Sequence, residues 1–379
     1  MRLHMNRRLP LILAIVLAGL HALASAPADI PGLRYEQRKT EGPLSIHILE
    51  VDPRQLRIEA VRALDDGVGR ETVASMAQRT GAVAAVNAGF FRIGGRYDGE
   101  PDGILKVRQQ WFSDPTVNGR GAIGWAEGGA SARIGRVSMK WQLRSGGKTW
   151  PVDGVNRPRG TAEAILYNWA FHRNTLTDPG GTEFLILHDR ITGVSHQGNA
   201  GIPMDGFVYS LGPQSAVKAD ELKVKARVKV DCRIESADGP ATPAKRDWQA
   251  MDYIVGGVPA LFFDRKLAFD ATSEKMRAGF AEERHPRTAI GLRADGSWIL
   301  AVVDGRQPEL SIGMNLRELS ELMLSLGCVD ALNLDGGGSS TVYYQGKVVN
   351  SPSDPAKDRP VSDAIVVLRP VGPGRRPGP

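Results

Sequence analysis

Apolar and polar residues alternate along most of this chain in short runs that close on Gly, Asp or Pro, a pattern that predicts strands joined by tight turns. The stretch PLSIHILEVDPRQLRIEAVRAL, residues 43–64, holds two such runs around Asp52–Pro53 and predicts a hairpin. RTAIGLRADGSWILAVVDG, residues 287–305, predicts a second hairpin around Asp295–Gly296. In LKVKARVKV, residues 222–230, Leu222, Val224, Ala226, Val228 and Val230 alternate with Lys223, Lys225, Arg227 and Lys229, which reads as a half-buried strand with a basic, solvated face.

Helical spacing is rarer. In NLRELSELMLSLG the apolar positions Leu316, Leu319, Leu322, Met323 and Leu326 share one face, Asn315 with Glu318 forms a capping box, and Gly327 ends the helix. RETVASMAQRTG, residues 70–81, predicts a shorter helix. Each helix runs into a buried strand that ends on a polar group: Asn87 in AVAAVNAGFF and Asp335 in LNLDGGGSSTVYY. The expected fold is therefore α+β, a mixed and mainly antiparallel sheet with few flanking helices in a single large domain, with Asn87, Arg287 and Asp335 at one end of the sheet.

The N-terminus changes the picture of where the protein works. Arg2, Arg7 and Arg8 precede the apolar run LPLILAIVLAGL and the small residues Ala24–Ala26, so residues 1–26 read as a signal peptide and the mature chain as exported, periplasmic or secreted. No later run reaches the roughly 20 apolar residues a membrane span needs. Residues 27–39 form an N-terminal segment, 40–370 the domain, and the Pro/Gly-rich 371–379 a disordered tail. Loss of three arginines leaves 45 basic against 42 acidic residues, from 48 and 42 in the full chain, too mild a balance to indicate nucleic acid. Cys232 and Cys328 leave two readings open, a disulfide or two separate buried thiols, and no His/Cys cluster has zinc spacing.

Candidate chemistry gathers at a few turns. Three glycines after Asp335, then Ser339 and Ser340, exceed what a hairpin turn requires and suggest close approach of a ligand to an anion-binding nest of backbone amides. The order is neither that of a P-loop nor that of a nucleophile elbow. Asn87 taken alone reads as a turn-bridging side chain. His285 and Arg287 flank Pro286, and the Arg287 fork suits phosphate or carboxylate at a strand end, although strand-end arginines commonly make structural ion pairs. Asp98, Glu100 and Asp102, interleaved with Gly, read as a turn before they read as a metal loop.

Six motifs in unbroken order (VNAGFF, IVGGVPALFFDRK, RTAIGL, VVDGR, LNLDGGGSSTVYY and VNSPSDPAKDRPVSDAIVV) make roughly residues 40–370 resemble the phosphodiester glycosidase family. Residues 131–160 carry little that matches it. The resemblance implies an enzyme that cleaves the bond from a sugar anomeric carbon to a phosphodiester, with a GlcNAc-like sugar, in envelope or extracellular glycans; no cofactor and no metal ligand is assigned, and a metal requirement is not legible in the sequence. On it, Asp335 acts on the sugar, Glu100 is the candidate second carboxylate, and Asn87 orients a sugar hydroxyl. Arg287, the Gly336, Gly337 and Gly338 amides, Ser339 and Ser340 hold phosphate, with Arg359 and His285 as further phosphate contacts. The rival readings are a non-catalytic binding protein for an anionic exopolysaccharide and a serine acyl hydrolase built on Ser339 and His285.

Overall fold

The computed structural model describes residues 29–129, 131–237 and 248–370, so the expected signal peptide and C-terminal tail lie outside the described residues. The chain is dominated by antiparallel strands in four sheets, with two α-helices among the described residues, which corrects the α+β expectation of one mixed sheet. The parallel pairing among named strands is confined to Gly154–Val155 beside Ala164–Asn168.

Sheet I has seven strands, its centre formed by Leu44–Val51, Trp298–Val303, Arg287–Arg293 and Cys328–Asn333. Sheet II has five, with Val342–Tyr344, Ala84–Asn87, Asp363–Leu368 and Arg57–Arg62 side by side. Their central strands are buried on both faces, and Trp298–Val303 and Asp363–Leu368 read accordingly as nearly unbroken apolar runs. One face of each contributes to a shared core, where Leu49, Ile290, Leu300 and Leu332 of sheet I meet Ile58, Val86 and Ile365 of sheet II. The outer face of sheet I packs on helix α2, Leu316–Ser325, and that of sheet II on helix α1, Val73–Thr80. Helix α2 starts with the expected capping box, Asn315 accepting from the Glu318 amide.

The second expected hairpin forms, with Arg287–Arg293 paired to Trp298–Val303. The first does not. Leu44–Val51 and Arg57–Arg62 are both strands, but the turn at Asp52–Leu56 carries the chain from sheet I to sheet II, so that the inward residues of the two strands face each other across the core. The predicted strand at 222–230 is also corrected: Lys225 takes φ +73° and turns the chain, Val224 is exposed, and regular pairing begins at Lys229. Cys232 and Cys328 are separate free thiols. No helix among the described residues is long and apolar enough to cross a membrane.

Sheet III, around Arg120–Trp125, Arg133–Ser145, Lys229–Ser236 and Tyr253–Gly257, closes the shared core from a third side. Its joint is Trp125: the ring stacks on Tyr253 at 5.2 Å, meets the edge of Trp298 of sheet I at 5.2 Å, and donates its indole N–H to the Ile58 carbonyl of sheet II at 2.8 Å. Sheet IV, formed by Gly154–Val155, Ala164–Asn168, Gly206–Leu211, Thr182–Leu187 and Arg190–Ser195, packs on the far side of sheet III through a second core that includes Trp141, Val155 and Tyr209. Trp125→Ala is expected to lower unfolding free energy by about 3–5 kcal/mol in urea titration, since it opens a cavity where three sheets meet.

Candidate active site

Sheets I and II place the ends of Ala84–Asn87 and Cys328–Asn333 beside each other, and one amide ties them. Asn87 is fully buried; its Nδ2 donates to the Asp335 carbonyl at 2.7 Å, and its Oδ1 accepts from Thr288 Oγ1 at 2.8 Å and the Thr341 amide at 3.1 Å. The Asp335 amide donates to the Ala88 carbonyl at 2.9 Å. Asn87, the Arg287 segment and Asp335 therefore meet as expected. With both ends of its amide committed to the protein, Asn87 organises backbone, and the sugar-orienting role is corrected to the turn-bridging one.

Close packing by the protein itself accounts for the glycines. A Cβ at Gly336 would sit 2.7 Å from the Pro286 carbonyl oxygen, and one at Gly338 would sit 2.4 Å from the Arg359 guanidinium. The amides are largely occupied: Gly336 donates to Asp335 Oδ1 at 2.9 Å and Gly337 to the Pro286 carbonyl at 2.8 Å. The open nest of amides is thus corrected to a turn that lets two cations close on it. Arg359 lies against Gly338 and pairs with Asp354 at 2.6 Å, while Arg306 lies against Gly337 with its Nη2 3.3 Å from His285 Nδ1.

The Asp335 carboxyl accepts from Gly336 and Ser339, and Arg359 favours its charge, yet burial outweighs them and pushes its pKa up to about 7, with Asp363 adding to the rise. Asp363 begins the strand Asp363–Leu368; its Oδ1 accepts from the Gly89 amide at 2.7 Å, and its Oδ2 is buried without a well-aligned donor. Burial raises its pKa too, opposed by the Arg62 guanidinium. Two small adjoining cavities that share Phe90, Gly103 and Gly256 make up a narrow cleft, the first lined also by Asp363 and Gly89 and the second by Val258 and Arg120.

The other expected residues fall differently. Arg287 is 1% exposed: Nε donates to the Met314 carbonyl, Nη2 to those of Phe280 and Glu283, and the group lies over the Phe280 ring. It ties down the 268–286 segment in place of a phosphate, and burial lowers its pKa to about 10. Glu100 pairs with Arg92 at 3.0 Å, and its electrostatic neighbours are Arg92, Asp102 and Arg157, whereas the carboxylate acting on Asp335 is Asp363. Asp98 and Asp102 have their own arginines, Arg70 and Arg120, so the acidic trio is a turn. Ser339 and Ser340 are each 1% exposed, and the Ser340 hydroxyl lies 3.3 Å from that of Thr288. His285 turns Nε2 to Glu283 at 2.9 Å and Nδ1 to Arg306, leaving neither nitrogen for Ser339. Arg306 and Asp363 were not singled out from sequence, though both lie inside recognised motifs, VVDGR and DRPVSDAIVV.

The fold and site define a β-sheet protein with paired carboxylates and two guanidinia around a glycine turn. Residues 181–368 match the family model described as phosphodiester glycosidase. An uncharacterised SPbeta prophage-derived protein of Bacillus subtilis is 42% identical over 87 residues, 23% of this chain and 13% of that protein. The N-acetylglucosamine-1-phosphodiester alpha-N-acetylglucosaminidase of Bos taurus is 39% identical over 90 residues, 22% of this chain and 17% of the bovine protein. A crystal structure of a hypothetical protein from Synechocystis superposes with TM-score 0.77 at 25% identity, covering 89% of this chain and 62% of that one. The chain thus spans less than two thirds of the length of each of these three.

Two substitutions test this geometry through stability alone. Arg287→Ala is expected to cost at least about 2 kcal/mol, because it removes charged hydrogen bonds to three buried carbonyls; a melting temperature equal to that of the unmodified protein would show the contacts to be incidental. The ordinary Asp pKa of 3.8 and the folded value of about 7 mean that stability falls as pH rises between them, with the full penalty present above about 7. Asp335→Asn is therefore expected to melt higher than the unmodified protein at pH 8, with the difference gone at pH 3.

Proposed function

We propose that the protein is a hydrolase that cleaves the bond between a sugar anomeric carbon and a phosphodiester, acting after export on glycosyl phosphodiesters of envelope or extracellular glycans. The observation that carries the reading is Asp335, held on the glycine turn with a pKa near neutrality, with Arg359 on one side and Asp363 on the other. The family model that residues 181–368 match and the name of the bovine relative support the bond type and a GlcNAc-like sugar.

An ordinary glycosidase protonates its leaving group because a sugar alkoxide departs poorly. A phosphate monoester leaves as a stable anion, so positive charge at the leaving group does more than an acid would. Arg306 and Arg359 supply that charge here, in the place first given to Arg287. Asp335 takes a proton from water as the water oxygen bonds to the anomeric carbon. The electron pair of the broken carbon–oxygen bond stays with phosphate. Asp363, whose charge Arg62 favours against the effect of burial, faces the positive charge that develops on the sugar ring and takes the place first given to Glu100. A base with pKa near 7 is suited to neutral pH.

The serine-hydrolase alternative lacks its dyad, since His285 is engaged by Glu283 and Arg306. A binding protein would share the site but not the turnover. Purified protein is expected to release sugar from a GlcNAc-1-phosphodiester, with kcat/KM rising as pH climbs through about 7 and Asp335→Asn losing turnover while still binding a non-cleavable analogue. Asp363→Asn, which keeps an acceptor for Gly89, should lower kcat by on the order of 100-fold or more. Arg359→Ala or Arg306→Ala should weaken binding of the analogue about ten- to a hundredfold. Binding without any turnover by the unmodified protein would convert the reading to the binding-protein one.

A further inference from the structure

One side of the paired strands Arg133–Ser145 and Lys229–Ser236 of sheet III carries a row of like charges. Strands Arg133–Ser145 and Lys229–Ser236 are antiparallel, and their register sets Lys229 directly opposite Arg144 and Arg233 directly opposite Lys140. Like charges directly opposed across two strands are destabilising. Relief is limited: Asp231 alone is shared by Arg144 at 2.7 Å and Lys229 at 3.2 Å, and Arg233 has Glu235 at 3.4 Å. At the end of these strands the turn Ser145–Gly147 and the segment Arg227–Lys229 enclose a shallow concavity to which Arg144, Lys148, Arg227 and Lys229 contribute and no acidic residue does.

Charge on an edge strand is a common guard against unwanted strand pairing, and Lys229–Ser236 is an edge of sheet III. That explanation does not reach Arg144, which lies on the strand inside it, opposite Lys229 on one side and Thr149 on the other. The excess is also local. On the face itself Lys140, Arg144, Lys229 and Arg233 stand against Asp231 and Glu235, four cations to two carboxylates. At the turn Arg227 and Lys148, the latter paired with Glu221 at 3.5 Å, add to them, on a chain whose whole excess is 48 − 42 = 6. The nearby aromatic rings, Trp141 and Trp150, are turned into the core at 8% and 6% exposure. The face therefore offers nothing for bases to stack on, as single-stranded nucleic acid binding requires.

We propose that this face is a docking surface for an extended anionic glycan, a polymer that bears repeated carboxylate or phosphate groups, bound at a place separate from the candidate active site. Its cations lie along two adjacent strands and end in the concavity, so a linear polyanion laid along the strands meets them in succession and relieves the repulsion between the opposed pairs. None of these residues belongs to the glycine turn or the cleft, so docking and turnover are separable.

The test uses the mature protein and a variant carrying Lys140→Gln, Lys148→Gln, Arg227→Gln and Arg233→Gln, which leaves both partners of Asp231 in place. Binding of fluorescein-labelled polygalacturonate and of inorganic polyphosphate is titrated at 50 and 200 mM NaCl, beside single-stranded DNA and vesicles with anionic lipid. Expected are binding of at least one of the two polymers by the unmodified protein, weakened by the higher salt, and at least a tenfold loss in the variant. The variant should melt no lower than the unmodified protein and turn over a small glycosyl phosphodiester at the same rate. Equal affinity of variant and unmodified protein for the polymers, no polymer binding at all, or tighter binding of DNA or vesicles than of either polymer would each overturn the proposal. A clear fall in the variant's melting temperature would do so as well, because it would give these cations a structural reason.

Discussion

One buried amide holds the candidate site together. Asn87 ends a strand of sheet II, and its side chain engages Thr288 and the Asp335 carbonyl from sheet I and the Thr341 amide from its own side. Donor and acceptor ends are both satisfied, so the amide is at home in the core, and loss of any partner would leave a buried polar group without one. Together with the bond from the Asp335 amide to the Ala88 carbonyl, this side chain fixes the position of the Asp335 backbone relative to the sheet II strands. Asp363 stands at the start of one of those strands, so the spacing of the two carboxylates follows from it.

The arginines divide by the same logic of satisfaction. Arg62 and Arg287 are buried and donate to backbone carbonyls: Arg62 to those of Ser362, Gly67, Gly69 and Gly99, Arg287 to those of Met314, Phe280 and Glu283. Such groups are struts for irregular segments, whose carbonyls have no strand partner. Arg306 and Arg359 stand at the rim of the turn, Arg306 partnered by His285 and Arg359 by Asp354 and Ser339, and the absence of Cβ atoms on the glycines lets them come close. The same turn keeps Asp335 enclosed, and enclosure holds its proton affinity near neutral pH.

The local elements were legible in the sequence because their causes are local. A capping box, a glycine stop and helical spacing define α2 from residues within three turns of one another. The Asp295–Gly296 turn specifies a hairpin whose strands are buried on both faces. The family motifs placed Asp335 and its glycines, and the two helix-to-strand units delivered Asn87 and Asp335 as expected, since a strand end is a property of the strand.

What only the tertiary structure decided is how groups far apart in the chain partner each other. Alternation at 222–230 is compatible with a strand, but a strand needs a neighbour with free backbone groups, and there the chain turns at Lys225. The residues around Asp52 are compatible with a hairpin, yet the two strands bury more apolar surface by facing each other from different sheets. Arg287 has the chemistry of a phosphate ligand and Glu100 that of a second carboxylate. Which guanidinium finds carbonyls, which finds the rim of the turn, and which carboxylate stands beside Asp335 depend on contacts between sheets I, II and III. Burial and partnership are properties of the packed chain, and a residue type carries its chemistry without carrying its surroundings.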